Sequence, residues 1–284
     1  MSKIALVTDS TAYIPPEITK QYDLTIMPQV LVWGEDTYQD GVDIQPDEFY
    51  ARLQTAKTMP TTSQVSIAAM KTTFEDLAEK GFHVLGIFIS SKLSGTMQSA
   101  TQAKDMLGSA SEKVTILDSN TTAMAMGFQV LATARAIEDG ANLDEAIATA
   151  KKAREHTGVF FAVDTLEFLH RGGRIGGAQR FLGTALNMKP VLALVDGRVE
   201  AVERIRTKKK AVARILDLVE EQVQGKSPIR VATLHANVEA EAKELLETAG
   251  KRMDLTESIL TSVSPVVGTH AGPGVVGLAY MAGM

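Results

Sequence analysis

The chain has 284 residues, of which 45% are hydrophobic and 22% are charged, and its formal net charge is −5. This composition is typical of a globular protein with one large domain or two ordinary ones. The absence of cysteine excludes disulfides, thiolate nucleophiles and cysteine-ligated metal sites. The negative charge argues against a nucleic-acid partner, and no apolar run reaches the roughly 18 residues of a membrane span. We therefore expect a cytoplasmic protein.

The first half of the chain alternates short β-branched runs with amphipathic stretches. The N-terminal run lacks the long apolar region and cleavage site of a signal peptide, so we expect it to be the first strand. The predicted strands are Lys3–Thr8, Val84–Ile89 and Val114–Leu117, and the predicted helices are Ile67–Glu79, Thr96–Leu107 and Ala123–Glu138. This alternation predicts an α/β fold whose parallel sheet is covered on both faces. Ligands of such sheets bind at the carboxyl ends of the strands.

The pattern changes near residue 157. A strand at Val159–Val163 precedes a glycine-dense segment, and Asp196-Gly197 between two strand-like runs, Val191–Val195 and Val199–Arg206, predicts a β-hairpin. The remaining predicted elements are the helices Lys208–Gln224 and Glu239–Gly250 and the strands Arg230–His235, Ser258–Val263 and Val275–Met281. Hairpins among such elements predict an α+β domain with a mixed sheet. The predicted domains are therefore residues 1–157 and 158–284.

Polar residues come directly after three of the predicted strands. They are Asp9-Ser10-Thr11, Asp118-Ser119 and Asp164-Thr165. Side chains of these types accept hydrogen bonds from free backbone N–H groups at helix starts, and we favour that capping role. A functional role for the carboxylates would need a metal ion or a substrate proton, and no neighbouring motif supplies either.

The loop SSKLSGT, Ser90 to Thr96, lies between a predicted strand and a predicted helix. It offers four hydroxyl groups, and Gly95 allows a close backbone approach to a ligand. The N-terminus of the following helix adds a partial positive field, which suits an anion. An elaborate helix N-cap is an equally good interpretation of the loop taken alone.

Two further loops carry candidate residues. Pro60 to Gln64 holds Thr61, Thr62 and Ser63, which either cap the next helix or contribute to a site. Gly268 to Gly274 is predicted to be a turn-rich loop between two strands, with a crowded backbone and His270 at its centre.

Motifs of catalysis are weak in this sequence. Ser94 lacks the flanking glycines of a hydrolase elbow, and neither a Walker loop nor a zinc motif occurs. Gly172 to Gly177 follows a helix-like segment, so it is not a dinucleotide-binding turn. We expect neither a cofactor nor a bound metal. A hydrolase or phosphotransferase that uses Ser94 or His270 remains the alternative function.

Six segments together resemble the DegV family of bacterial lipid-binding proteins. They follow one another in the family's order over nearly the whole chain: Asp9 to Thr11, Thr61 to Gln64, Ser90 to Ala100, Asp164 to Ile175, Arg206 to Ala211 and Gly268 to Gly274. The resemblance implies a two-domain fold, with a Rossmann-like parallel sheet in the N-terminal domain and a mixed sheet in the C-terminal α+β domain.

The resemblance also implies a function that is not enzymatic. One long-chain fatty acid would be bound with its carboxylate at the domain interface, by Thr61, Thr62, Ser94, Gly95, Thr269 and His270, with Arg171 nearby. A separate ATP-binding subunit of a fatty acid kinase would phosphorylate this ligand. The acyl phosphate would then pass to an acyltransferase in phospholipid metabolism, and Arg206 would lie on the surface that docks the kinase.

The chain departs from the family pattern at two positions. Val65 stands where proline is usual and Met97 where tyrosine is common, which implies an altered preference for the acyl chain. The segments 121–127 and 181–188 either line the acyl tunnel or belong to the ordinary core, and core packing is the favoured interpretation.

Overall fold

The structure is a computed structural model that describes residues 3–183 and 188–284. Its strands are β1 Lys3–Asp9, β2 Thr25–Met27, β3 Val30–Trp33, β4 Asp36–Gln39, β5 Thr61–Ser63, β6 Phe82–Phe88, β7 Val114–Asp118, β8 Thr157–Ala162, β9 Lys189–Val195, β10 Arg198–Ile205, β11 Ile229–His235, β12 Leu255–Ser262 and β13 Val276–Ala282.

The α-helices of the described residues are α1 Pro16–Gln21, α2 Pro46–Thr55, α3 Ile67–Glu79, α4 Thr96–Asp105, α5 Ala123–Glu138, α6 Leu143–His156, α7 Glu167–Arg171, α8 Lys208–Val223, α9 Glu239–Arg252 and α10 Pro265–Ala271. Short 3₁₀ helices follow β1, α4 and α7. Within the described ranges, none of the helices has the length and apolar character needed to cross a membrane.

The N-terminal half contains a four-stranded sheet of order β2-β1-β6-β7, in which all strands are parallel. Its central strands carry almost unbroken apolar runs, which is what burial on both faces requires. The predicted parallel sheet is therefore confirmed. The loop Ser90 to Thr96 follows β6 and lies at the carboxyl edge of this sheet.

A second, three-stranded sheet of order β4-β3-β5 was not predicted. Thr61 and Thr62 lie on β5, where Thr62 pairs with Leu31 of β3. The hypothesis that these threonines cap the next helix was wrong, because Ser66 is the N-cap of α3 and accepts a hydrogen bond from the Ala69 N–H. Strand geometry instead sends the two neighbouring threonine side chains to opposite faces of the small sheet.

The C-terminal half contains a six-stranded sheet of order β10-β9-β8-β13-β11-β12. Only β11 and β12 are parallel neighbours, so the predicted mixed sheet is confirmed. The predicted hairpin joins β9 to β10 through Asp196 and Gly197, whose φ angles of 48° and 81° are those of a tight hairpin turn.

Helix α5 lies between the two large sheets. Residues Ala123 to Ala134 are all buried, and the helix packs against β1 and β6 on one side and β8 and β13 on the other. A helix that is apolar all round belongs in a core of this kind. Because α5 contacts the sheets of both halves, the division at residues 157 and 158 stays a prediction.

The segment predicted as a loop around His270 is largely helical, and that expectation was wrong. Helix α10 begins after Ser264, whose hydroxyl accepts a hydrogen bond from the Val267 N–H. It ends at Ala271 and is capped by Gly272, whose φ angle is 80°. The predicted crowding is confirmed, since a Cβ atom at Gly268 would meet the Tyr50 hydroxyl at 2.4 Å. Capping and tertiary packing therefore override the turn-forming character of this glycine-rich sequence.

The predicted caps have mixed outcomes. Asp9 does cap the 3₁₀ helix after β1 by accepting the Thr11 N–H. Asp118 accepts the Asn120 N–H of the next loop and the Ser91 N–H of the loop after β6, but does not cap α5. Asp164 forms an ion pair with Lys189, which joins the end of β8 to β9.

Candidate functional site

An apolar cavity lies between the two halves of the chain. The cavity and the solvent at its mouth together span about 900 Å³ of space outside the protein atoms. Its walls come from the carboxyl edge of the parallel sheet, the mixed sheet and α10, and include Ile89, Val159, Phe161, Leu194, Leu234 and Val275. Gln29, Thr62, Ser94, Arg174 and His270 add polar groups to this lining. A largely apolar cavity with a few polar groups is typical of a small-molecule site.

His270 and Thr62 form the first polar pair of the cavity. His270 Nε2 lies 2.7 Å from Thr62 Oγ1, and Nδ1 is buried without a hydrogen-bond partner among the described residues. Burial, with a smaller effect of the Arg174 guanidinium, lowers the pKa of His270 to about 4, so the ring is neutral at pH 7. Because a buried N–H rarely stays unpaired, we assign the proton to Nε2. Nε2–H then donates to Thr62, whose own hydroxyl hydrogen is left to point elsewhere.

Gly172 makes room for the His270 ring. A Cβ atom at Gly172 would lie only 2.0 Å from His270 Nδ1. Gly172 follows α7 with an ordinary φ angle of −75°, so its backbone does not need glycine. The close approach of the ring is therefore the reason that glycine is required here.

Arg174 joins the turn after α7 to the loop Ser90 to Thr96. Its Nε donates to the Leu93 carbonyl at 3.0 Å, and its Nη1 donates to the Gly172 carbonyl at 2.6 Å. Nη2 has no acceptor in the part of the chain that the structure describes. The guanidinium thus holds two backbone segments together and brings a positive charge to the cavity wall.

Ser94 is the last polar group, and a buried chain of hydrogen bonds supports it. Asp9 is fully buried and accepts a hydrogen bond from the Gln29 amide nitrogen at 3.3 Å. This bond orients the Gln29 amide so that its Oε1 accepts a hydrogen bond from Ser94 Oγ at 3.4 Å. Burial raises the pKa of Asp9, although its bond to the Ile89 N–H opposes this shift. The long 3.4 Å contact is weak, so the Ser94 hydroxyl can turn to another acceptor at small cost.

The hairpin between β9 and β10 anchors the loop Ser90 to Thr96 from the other half of the chain. Ser90 Oγ donates to the Gly197 carbonyl at 2.7 Å, and Lys92 Nζ donates to the Asp196 carbonyl at 2.6 Å. The Ser94 hydroxyl accepts the Thr96 N–H at 3.3 Å, at the start of α4. The loop therefore both orders a helix start and presents a hydroxyl to the cavity.

Comparison with known proteins identifies the family. A family model described as "Uncharacterised protein, DegV family" matches residues 3–283. The chain belongs to the DegV family. It is 36% identical over 283 residues to a DegV domain-containing protein of Halalkalibacterium halodurans, and 99% of each sequence is covered. These matches confirm the family predicted from the sequence motifs.

Two solved structures of DegV proteins are similar over almost their whole length. One is described as fatty acid binding of a DegV family protein from Thermus thermophilus, with 35% identity, a TM-score of 0.92 and 99% of both chains covered. The other is DegV, a fatty acid binding protein from Bacillus subtilis, with 33% identity, a TM-score of 0.90 and coverage of 99% and 100%. The fold is therefore the DegV fold.

The DegV residues predicted from the sequence fall into two groups. Thr62, Ser94 and His270 line the cavity, whereas Thr61, Arg171 and Thr269 line an adjoining surface depression. In that depression Arg171 forms an ion pair with Glu167, and the Thr269 hydroxyl donates to the Pro265 carbonyl. Gly95 lies behind the cavity, where a Cβ atom would meet the Gln64 side chain at 3.1 Å. Arg206 is exposed between β10 and α8.

Sequence reasoning missed two polar residues of the cavity, Gln29 and Arg174. Arg174 lies in the glycine-dense segment that was quoted for the DegV resemblance, so a signal for it existed. Gln29 follows Pro28 in an otherwise apolar run, and no motif marks it. Its role depends on the fold, which places Asp9 on one side of its amide and Ser94 on the other.

Several residues expected to shape the cavity lie elsewhere. Val65 and Met97 pack with α3 and the adjacent face of the parallel sheet and do not line the cavity. In the segment 121–127, Thr122 and Ala123 line the cavity while Met124 and Met126 are buried in the core. The segment 181–188 includes residues 184–187, which lie outside the described residues.

The alternative catalytic functions find no support in the geometry. Ser94 is bonded to Gln29 and Thr96, and His270 is bonded to Thr62, so the two side chains do not form a nucleophile–base pair. Over residues 3–183 and 188–284, no group of three or more histidine or acidic side chains is placed to hold a metal ion.

Two buried groups near the site should shift protein stability with pH in opposite directions. Asp40 accepts from the Ser10 hydroxyl at 2.6 Å and the Val266 N–H at 3.2 Å, and burial raises its pKa from 3.8 to about 6. The stability that its protonated form contributes is lost as pH rises from about 4 through 6. His270 acts oppositely, because its pKa is lowered from 6.5 to about 4, and its contribution is lost as pH falls through that window. Each effect is worth about 3 kcal/mol.

When one of the two groups is removed, the other should therefore dominate the pH dependence of the free energy of unfolding in this range. Compared with the wild type, Asp40→Asn should gain stability as pH rises from about 4 to 6, and His270→Gln should lose it. Chemical denaturation of delipidated protein across this range measures both slopes. If the free energy of unfolding of both variants changes with pH as it does in the wild type, the pKa shifts assigned to Asp40 and His270 are contradicted.

Proposed function

We propose that the cavity holds one long-chain fatty acid, with its tail among the apolar side chains and its carboxylate at Thr62, Ser94, Arg174 and His270. The observation that carries this proposal is the placement of four polar side chains, from both halves of the chain, on the wall of an otherwise apolar cavity. Relatives with 35% and 33% identity over the whole chain are described as fatty acid binding proteins, which supports the same ligand.

The acyl tail would supply most of the affinity. Burial of about 15 methylene groups is worth roughly 12 kcal/mol at about 0.8 kcal/mol for each group. Association itself costs roughly 4–15 kcal/mol. The head group therefore contributes the smaller share of the affinity, through a few hydrogen bonds to a charged group, and it also fixes the position and orientation of the carboxylate.

The polar groups suit a carboxylate held by separate hydrogen bonds. The Thr62 hydroxyl, which accepts from His270, has its hydrogen free for the ligand, and the Ser94 hydroxyl can leave its weak contact with Gln29. Arg174 already donates its Nε–H to the Leu93 carbonyl, so the side-on bidentate pair through Nε and Nη2 is blocked, and Nη2 would donate to one carboxylate oxygen. One carboxylate oxygen would stay accessible for phosphorylation.

We further propose that the protein presents this oxygen to a separate ATP-dependent fatty acid kinase and carries the acyl phosphate to an acyltransferase, without turnover of its own. The depression beside the cavity supports this role, because it leaves Thr61, Arg171 and Thr269 on the surface next to His270. Without ligand the His270 ring is neutral at pH 7, so permanently charged groups are needed to balance the added charge of a phosphoryl group. The guanidinium groups of Arg171 and Arg174 would do so.

The kinase-docking role of Arg206 can be separated from fatty acid binding. Arg206→Ala should load with fatty acid as the wild type does, because the side chain is exposed and does not line the cavity. Loss of an arginine at the centre of an interface should slow phosphorylation by the kinase subunit about tenfold or more. Lys209→Ala, at an exposed basic residue three positions further along the chain, is the matched control and should change the rate less than about twofold. Equal phosphorylation rates for all three proteins would refute the docking role.

A further inference from the structure

A second groove adjoins the proposed acyl cavity on the side of α1. It spans about 1250 Å³ of space outside the protein atoms, part of it open to solvent, and none of Gln29, Thr62, Ser94, Arg174 and His270 lines it. Its wall has an apolar part, which includes Ile14, Pro15, Pro28, Val42, Leu260 and Pro265, and a polar part that carries the carboxyl groups of Asp9, Glu17 and Asp40. Val42 is an exposed hydrophobic residue at this groove, with 63% of its surface accessible. The groove can therefore accept apolar groups.

Tyr13 is the one residue in the described ranges that lines both the cavity and the groove. It belongs to the core and is only 9% exposed. Its hydroxyl is buried beside Ser264 without a hydrogen bond of normal geometry, and burial raises its pKa well above the usual value. A buried hydroxyl without a well-formed hydrogen bond does not stabilise the side chain. We therefore attribute the role of Tyr13 to the packing of its ring.

The backbone of Tyr13 is also unusual. Its φ angle is 58°, in the left-handed region that a bulky side chain rarely adopts. Such a conformation persists only where surrounding packing holds it. Here the residues before Tyr13 are fixed, since the Thr11 hydroxyl donates to Asp9 and the Thr122 hydroxyl donates to the Thr11 carbonyl. The ring is thus held at one position between the two spaces.

We propose that Tyr13 is the partition that ends the acyl cavity on this side and so sets the length of acyl chain that the protein accepts. This inference rests on the proposed function. A residue without the ring would connect the cavity to the groove, and a longer or methyl-branched tail could continue between the apolar walls. Each additional methylene buried in this way would tighten binding by about fourfold.

The experiment is a competition among saturated fatty acids of about 14 to 22 carbons for delipidated protein, measured by native mass spectrometry. Wild-type protein should show an affinity maximum followed by a steep fall. Tyr13→Ala should move that maximum to longer chains by about two carbons or more. Tyr13→Phe keeps the ring and should retain the wild-type profile. Tyr13→Gly is the second small variant, because glycine tolerates the positive φ angle if alanine does not.

The outcomes separate this inference from the proposed function. If the wild type binds fatty acids and both small variants keep its chain-length profile, Tyr13 is not the partition, while the fatty acid function stands. If the wild type binds no fatty acid of any length, the proposed function fails and the inference fails with it. A shift in the small variants together with an unchanged Tyr13→Phe profile is the result that we expect.

Discussion

Gly172→Ala is expected to displace the His270 ring and to weaken fatty acid binding by about tenfold or more. The new methyl group would lie 2.0 Å from Nδ1, a distance at which the ring must move. Movement breaks the 2.7 Å bond between His270 and Thr62, and with it the orientation of the Thr62 hydroxyl. Hydrogen bonds to a charged ligand group are worth about 1.5–3 kcal/mol, which corresponds to a loss of about tenfold or more.

A matched control exists for this substitution. At Gly250, in α9, the nearest atom to an added Cβ is Leu255 Cδ1 at 3.9 Å, so alanine is accommodated without a clash. Gly250→Ala should leave binding unchanged and raise stability slightly, as expected for glycine to alanine within a helix. Isothermal titration of delipidated protein with one fatty acid compares the variants. Wild-type affinity in Gly172→Ala would show that the position of His270 does not matter for binding.

Arg174→Ala is expected to weaken fatty acid binding about tenfold or more, whereas Arg171→Ala should change it less than about twofold. Loss of Arg174 removes the hydrogen bonds to the Leu93 and Gly172 carbonyls, and both segments carry or support cavity residues. Arg171 is half exposed and paired with Glu167, an arrangement that contributes little to binding or stability. The sequence predicted Arg171 as a site residue, whereas Arg174 lines the cavity, so the comparison tests which of the two arginines contributes to fatty acid binding.

A third variant separates the charge of Arg174 from its geometry. Arg174→Lys retains the positive charge but cannot reproduce two hydrogen bonds from a planar guanidinium. We expect it to bind as weakly as Arg174→Ala if loop positioning dominates. A greater loss of affinity for Arg171→Ala than for Arg174→Ala, in the same titration, would overturn the assignment of Arg174 to the head-group site.

The elements that sequence could predict are those with strong local signals. The strands of the parallel sheet are long apolar runs, and the hairpin at Asp196 and Gly197 depends on two residues that adopt positive φ angles readily. The hydroxyl groups of Thr62 and Ser94 and the ring of His270 could also be identified, because they lie in motifs that the DegV resemblance covers.

Other features depend on contacts between distant segments. Strand β5 has three residues and exists because β3 pairs with it, and α10 forms where Asp40 accepts the Val266 N–H from 226 positions away in sequence. Gln29 enters the site only through its bonds to Asp9 and Ser94. Local propensity carries no information about such contacts, so sequence patterns alone could not predict them.

The most direct test of the proposed function is mass spectrometry of an organic extract from gently purified protein, expressed with ample lipid. We predict one long-chain fatty acid for each protein chain in the wild type. The same extraction from Ser94→Ala and Thr62→Ala, confirmed as folded by circular dichroism, should yield less. Reproducible absence of fatty acid from the wild-type extract, together with failure of the delipidated protein to take up added fatty acid, would contradict the proposal.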